Sequence, residues 1–325
     1  MAVRAMGATE WALLAALSVL WGGSFFFVEV LLDAADPMTV VLMRVGPAAV
    51  ALTTFAYVAG HRLPKEFTIW PAFLVMGALN NVVPFTLIAW GQVHIDSGLA
   101  SIINATTPIF AVVLAHFVAA DERMTANRGF GVLAGLFGVA VLVGPEVLAG
   151  LGLQVLAQLA VLGAALSYAV AGVYGRRLAA LPVPVAAAGM LIGSTVIAVP
   201  AAFVLGAPLA VALTPPTLGA MLGLSLLSTA CAYLIYFRVL ATAGATNLLL
   251  VTFLIPPSAV ALGVVFLGER PTSNAIAGMI LIFLGLVVID GRVIRRVFSG
   301  NSVTQRLSAR PSLRPLVRSP RRGRG

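Results

Sequence analysis

Two ionisable side chains interrupt the first long apolar stretches of the chain, Glu29 and Arg44. In hydrocarbon an unpaired arginine costs about 2.5 to 3.5 kcal/mol at the membrane centre, so each is expected to find a partner or water. If residues 11–32 and 38–59 are antiparallel helices, both groups lie towards the same end of the bundle, and an ion pair is within reach of a long arginine. Such a pair either closes one end of a cavity, or leaves Arg44 to meet an anionic substrate group while Glu29 orients it or carries a proton. Metal chemistry finds no support. His61, His94 and His116 are far apart and Cys231 is the lone cysteine, so neither ligand spacing nor a disulfide framework is present. No metal and no cofactor are expected.

A second set of polar side chains sits just before prolines. Asn80 and Asn81 precede Pro84; Asn104, Thr106 and Thr107 precede Pro108; Thr252 precedes Pro256 and Pro257. A proline in a helix removes one backbone hydrogen bond and frees a carbonyl one turn earlier. Nearby amides and hydroxyls either re-satisfy that carbonyl or bond a substrate at the broken helix. Asn104 is the foremost candidate for the second role, because a deep amide needs a partner. Trp21, Gly22, Gly23 and Ser24 admit a similar pair of readings. Small residues let helices pack closely, or Trp21 and Ser24 offer a cavity an apolar plane and a hydroxyl. Tyr168 and Tyr174, then Tyr233 and Tyr236, are further candidates to line that cavity.

The elements that hold these residues follow from composition. The 325 residues are 60% apolar and only 10% charged, with a mean hydropathy of +1.05. A soluble domain is about a quarter charged, so the solvent here must be lipid. Apolar runs span 11–32, 38–59, 70–91, 98–119, 129–147, 155–175, 185–205, 217–237, 247–267 and 274–292. One hydrocarbon core takes roughly 20 residues of helix, and helices alone satisfy their own backbone in lipid. The expectation is an all-α integral membrane protein of ten transmembrane helices. Basic residues fall on alternate loops and on the C-terminal segment, which puts both termini in the cytoplasm of a bacterial inner membrane. Residues 293–325 are rich in Arg, Ser, Pro and Gly and are expected to be disordered. Beside a membrane, this basic tail is matched to anionic lipid headgroups rather than to nucleic acid.

The chain also repeats itself. At an offset of 147 positions, Glu122-Arg123 matches Glu269-Arg270, Thr125 matches Thr272, Asn127 matches Asn274, Gly131 matches Gly278 and Gly138 matches Gly285. The repeats are expected at 1–147 and 155–292. Five helices in each make the halves inverted, a recurrent transporter design with the substrate near the midplane. A membrane-embedded enzyme acting on lipid-linked substrates is the alternative from another class, but its chemistry wants clustered acids or histidines. A non-transporting membrane subunit is the third reading.

The chain resembles the EamA-type members of the drug/metabolite transporter superfamily over residues 11–292. The likeness is carried by Trp21-Gly22-Gly23-Ser24-Phe25, Arg44, Pro108, Pro256 and Leu267-Gly268-Glu269-Arg270-Pro271. The first half ends Ala120-Asp121-Glu122 where Leu-Gly-Glu is usual, keeping the acid. The resemblance implies an exporter or permease of amino acids, metabolites or drugs, not an enzyme, with a small-molecule substrate and the lipid bilayer as partners.

Overall fold

The computed structural model describes residues 6–118, 124–144, 152–205, 211, 214–248 and 250–290. Glu122, Arg123 and the basic tail expected at 293–325 lie outside the described residues. Among those described there are helices and no strands. We number the rods α1 (Ala8–Leu32), α2 (Pro37–Val58), α3 (Phe67–Gln92), α4 (Ser97–Val118), α5 (Ala126–Val143), α6 (Leu153–Leu178), α7 (Val183–Val204), α8 (Pro215–Ala243), α9 (Val251–Leu267) and α10 (Ser273–Asp290). All but α9 are long and apolar enough to cross a membrane.

The expected prolines mark where rods change pitch. Helix α4 divides into Ser97–Asn104 and Thr107–Val118, because Pro108 has no N–H for the carbonyl of Asn104. The short turn Ala245–Leu248 precedes α9. In α3 the stretch Ala78–Val82 widens to a π turn just before Pro84, with the Val83 N–H donating to the Ala78 carbonyl. A longer π segment, Gly223–Cys231, occupies the middle of α8.

The outward faces are apolar. Val58, Phe117, Phe130 and Val204 are 83%, 78%, 70% and 84% exposed, a surface that only lipid can cover.

Inward faces pack through small residues. The main pairings are α5 with α10, α2 with α7, α1 with α9, and α4 with α6 and α9; α3 lies against α6 and α7, and α8 against α1 and α2. Helices α5 and α10 touch backbone to backbone. A Cβ on Gly131 would lie 2.6 Å from the Gly285 carbonyl oxygen, and one on Gly285 would lie 2.6 Å from that of Gly131. Gly138 and Gly278 repeat the contact one turn pair along. On α3, a Cβ at Gly77 would lie 2.5 Å from the Ser194 nitrogen of α7. Lipid gives no hydrophobic drive between helices, so such close approaches supply the packing energy.

Candidate functional site

A buried polar network joins α3, α7 and α8. The π turn of α3 contributes two consecutive side chains to it, Asn80 and Asn81. Asn80 donates from Nδ2 to the Tyr233 hydroxyl at 3.0 Å, and Tyr233 donates onward to Asn81 Oδ1 at 3.2 Å. Asn81 is fully buried and donates from Nδ2 to Ser194 Oγ at 2.8 Å. Ser194 in turn donates to the Met190 carbonyl at 2.8 Å. Asn81, Ser194 and Tyr233 therefore leave few polar atoms unmatched, as burial in a low dielectric demands.

Arg44 borders this network from α2. It is the only charged side chain among the buried described residues, at 8% exposure. Its Nε donates to Thr229 Oγ1 at 3.1 Å, and Thr229 donates to the Leu224 carbonyl at 2.8 Å, within the π segment of α8. The guanidinium carbon stands 3.6 Å from the centroid of the Phe85 ring, a cation–π stack. The phenols of Tyr168 and Tyr233 lie within electrostatic reach, and Tyr168 meets Phe85 edge-on at 6.5 Å. An aromatic strip continues along α8, where Tyr236 packs against Trp21 of α1 at 5.6 Å.

Of the residues expected from sequence, Arg44, Asn80, Asn81, Tyr168 and Tyr233 thus converge, with Trp21 beside them. The Glu29–Arg44 pair does not form. Glu29 accepts from Gln92 Nε2 at 2.8 Å, and the same amide donates to the Phe25 carbonyl at 2.9 Å. The charges nearest Glu29 are Glu269, Asp96 and Asp33. The two helices turn these side chains to different neighbours, Glu29 towards the end of α3 and Arg44 towards Phe85 and α8. Ser24 spends its hydroxyl on the Trp21 carbonyl at 2.6 Å, in keeping with the packing reading. Neighbouring Gly22 has no room for a Cβ, which would meet Ser258 Oγ and lie 2.9 Å from the Ala259 nitrogen of α9.

Asn104 sits apart, at the break in α4. Thr107 Oγ1 donates to the Asn104 carbonyl at 2.8 Å, replacing the bond that Pro108 cannot make. The side-chain oxygen of Asn104 is buried without a partner among the described residues. Pro256 is buried within α9, one turn after Thr252. A cleft of about 310 Å³ lies elsewhere again. It is lined by Asp36, Pro37, Met38, Thr86, Leu87, Trp90 and Leu205, none of them an expected site residue.

Sequence reasoning missed Phe85, Ser194 and Thr229. A signal existed for Thr229: at the 147-residue offset it is the mate of Val82, the last residue of the α3 π turn. Phe85 and Ser194 carry no such mark, since a phenylalanine and a serine in apolar helices are common.

Glu269 has a defined seat as well. Its carboxylate accepts from the backbone N–H groups of Ser97 at 2.8 Å and Gly98 at 3.0 Å, and so caps α4. Asp96, at the N-cap position itself, makes no such bond. Burial, and then the nearby Glu269 carboxylate, hold the Asp96 carboxyl above its ordinary value of 3.8.

Comparison with known proteins agrees with this picture. A solved crystal structure superposes with a TM-score of 0.64 at 18% identity, covering 89% of this chain and 99% of that one, which is a likeness of fold. The Probable terminal-alkyne amino-acid exporter of Streptantibioticus cattleyicolor is 30% identical, over 88% of this chain and 94% of its own. The Uncharacterized transporter YoaV of Bacillus subtilis is 26% identical over 83% of this chain and 92% of its own. Protein PecM of Dickeya dadantii is 26% identical over 83% and 89%. The EamA-like transporter family matches twice, at residues 9–144 and 155–290. The chain therefore belongs to the EamA-like transporter family, and it is a multi-pass membrane transporter rather than an enzyme.

Proposed function

We propose that the chain crosses the bacterial inner membrane ten times as two inverted five-helix repeats, and exports a small metabolite or amino acid by alternating access. The substrate space is the region bounded by Arg44, Asn80, Asn81, Tyr168 and Tyr233, with Trp21 and Tyr236 as an aromatic wall. Both termini are cytoplasmic in this reading. Helix α9, with the turn Ala245–Leu248 ahead of it, brings the crossings to ten in this reading.

One observation carries the proposal: the main helix pairings survive an exchange of halves. Replacing each helix by the one five places along turns α1 with α9 into α6 with α4, α3 with α6 into α8 with α1, and α3 with α7 into α8 with α2. All six pairings are present, and α2–α7, α4–α9 and α5–α10 map onto themselves. A pseudo-twofold relation of this kind is what lets inverted repeats trade conformations about a fixed midplane site. The double family match supports the same division. Amino acids are proposed as cargo because one relative is a probable terminal-alkyne amino-acid exporter.

Two measurements test it. Ala126 and Ser273 are the exposed first residues of α5 and α10, one repeat apart. Cysteines placed there in a Cys231→Ser background should react with an impermeant thiol reagent from opposite sides of the membrane. Reconstituted protein should move radiolabelled amino acids across vesicles. Same-side labelling would overturn the inversion, and absence of flux for a full amino-acid and drug panel would overturn the cargo reading.

A further inference from the structure

Resting on that transport reading, we infer that Arg44 is the anchor for a single carboxylate on the transported molecule. Its partners leave a definite part of the guanidinium free. A guanidinium has five N–H donors in one plane. The Nε–H is committed to Thr229, and one face is covered by Phe85. Thr229 has given its own proton to Leu224, so it can only accept, and it fixes the plane of the group. The two terminal nitrogens make no hydrogen bond among the described residues. What remains is the end-on fork, the edge that takes a carboxylate through two parallel N–H···O bonds.

No protein anion fills that fork among the described residues. The acid that sequence suggests for it, Glu29, is bonded to Gln92, and the titratable groups near Arg44 are the phenols of Tyr168 and Tyr233. A lone cation held inside a membrane bundle is costly, and functional sites are where such groups are kept. Arg44 supplies one positive charge, and no second buried cation stands beside it among the described residues. A monocarboxylate is neutralised by that charge, whereas a phosphate dianion keeps an excess charge in a low-dielectric site. The surroundings also suit a carboxylate that carries an amino group. Asn80 uses its Nδ2 on Tyr233 and Met190, so its half-buried carbonyl oxygen is available to accept from an ammonium.

The test uses the full chain in nanodiscs and in vesicles. The probes are the twenty amino acids, the amide and the decarboxylated amine of each hydrophobic one, and inorganic phosphate. Binding is read from thermal shift and tryptophan fluorescence, and transport from counterflow. At least one amino acid should bind, with its amide and amine weaker by about tenfold to a hundredfold, the scale of a charge-assisted bidentate contact. Arg44→Gln should erase the preference for acid over amide, and Arg44→Lys should keep part of it. If Arg44→Gln does not fold, the acid-against-amide ratio of the unmodified chain and the Arg44→Lys variant decide the matter. Equal binding of acid and amide, an unaltered preference in a folded Arg44→Gln, or stronger binding of phosphate would each overturn the carboxylate assignment. If amines move while no carboxylate binds, transport stands and this assignment falls; if no probe moves, both fall.

Discussion

Glu269 and Gly98 fit each other: the carboxylate oxygen that accepts from the Gly98 N–H at 3.0 Å is also 3.0 Å from where a Cβ on Gly98 would be. Gly263 makes room on the other side, since a Cβ there would run into the same carboxylate. An acid from the segment between α9 and α10 thus caps the start of α4, satisfying two N–H groups that the helix cannot. Glu269→Ala should lower stability by about 0.5 to 2 kcal/mol, the usual cost of a lost cap. Glu269→Gln, with one acceptor oxygen in place of two, should fall between. Thermal unfolding in detergent measures both, and an unchanged midpoint for the alanine variant would mean the cap adds nothing.

The neighbouring Asp96 gives a pH dependence with a definite sign. Its carboxyl is held above 3.8 by burial, then by Glu269, so the folded chain binds that proton more tightly than the unfolded chain does. Its contribution to stability is greatest below 3.8 and is lost as pH rises from there through the raised value. Asp96→Asn escapes that loss. The variant's melting temperature minus that of the parent should grow from acid towards neutral pH and then level off. A difference that is flat, or that shrinks with rising pH, would contradict the stated cause.

The architecture was largely legible because lipid imposes long apolar runs and little else. The offset of 147 residues fixed α5 and α10 so well that their observed bounds, Ala126–Val143 and Ser273–Asp290, are one repeat apart at both ends. Rotation of each helix about its axis was not legible. Apolar residues surround every rod, so no amphipathic stripe said which way Glu29 or Arg44 faced, and a pairing plausible by depth alone proved wrong. The prolines flagged where α3 and α4 change pitch. The π segment of α8 has no proline, so only the repeat offset, which pairs Thr229 with Val82, pointed to Thr229.

The reciprocal contact of Gly131 and Gly285 predicts non-additive damage. A methyl group at either position presses on a backbone oxygen that cannot rotate away, so Gly131→Ala or Gly285→Ala should each cost about 1 to 3 kcal/mol. Once one has separated α5 from α10, the second should cost less, and the double variant should fall short of the sum. Gly46, within α2, offers open space instead, because a Cβ there would have nothing within 4 Å. Gly46→Ala should therefore be neutral or stabilising by about 0.5 to 1 kcal/mol. Fluorescence-detected melting of the four variants checks the pattern, and additive costs would show that the two glycines do not share one contact.

The network around Asn81 separates holding the fold from handling the substrate. Asn81 and Ser194 are both fully buried and bonded at 2.8 Å, so removing either leaves a polar group unmatched at about 1 to 3 kcal/mol. Asn81→Ala and Ser194→Ala should therefore couple by at least about 0.5 kcal/mol in a double-mutant cycle. Tyr233 is only partly covered and its hydroxyl links Asn80 to Asn81. Tyr233→Phe keeps the ring, its packing against Phe237 and most of the burial, while Asn80 loses an acceptor that faces the proposed substrate space. Asn81 Oδ1 loses its donor as well, so stability should fall by about 1 to 3 kcal/mol, and flux at matched abundance should drop several-fold. A loss of stability with unaltered flux per folded molecule would make Tyr233 a strut and move the substrate space away from α8.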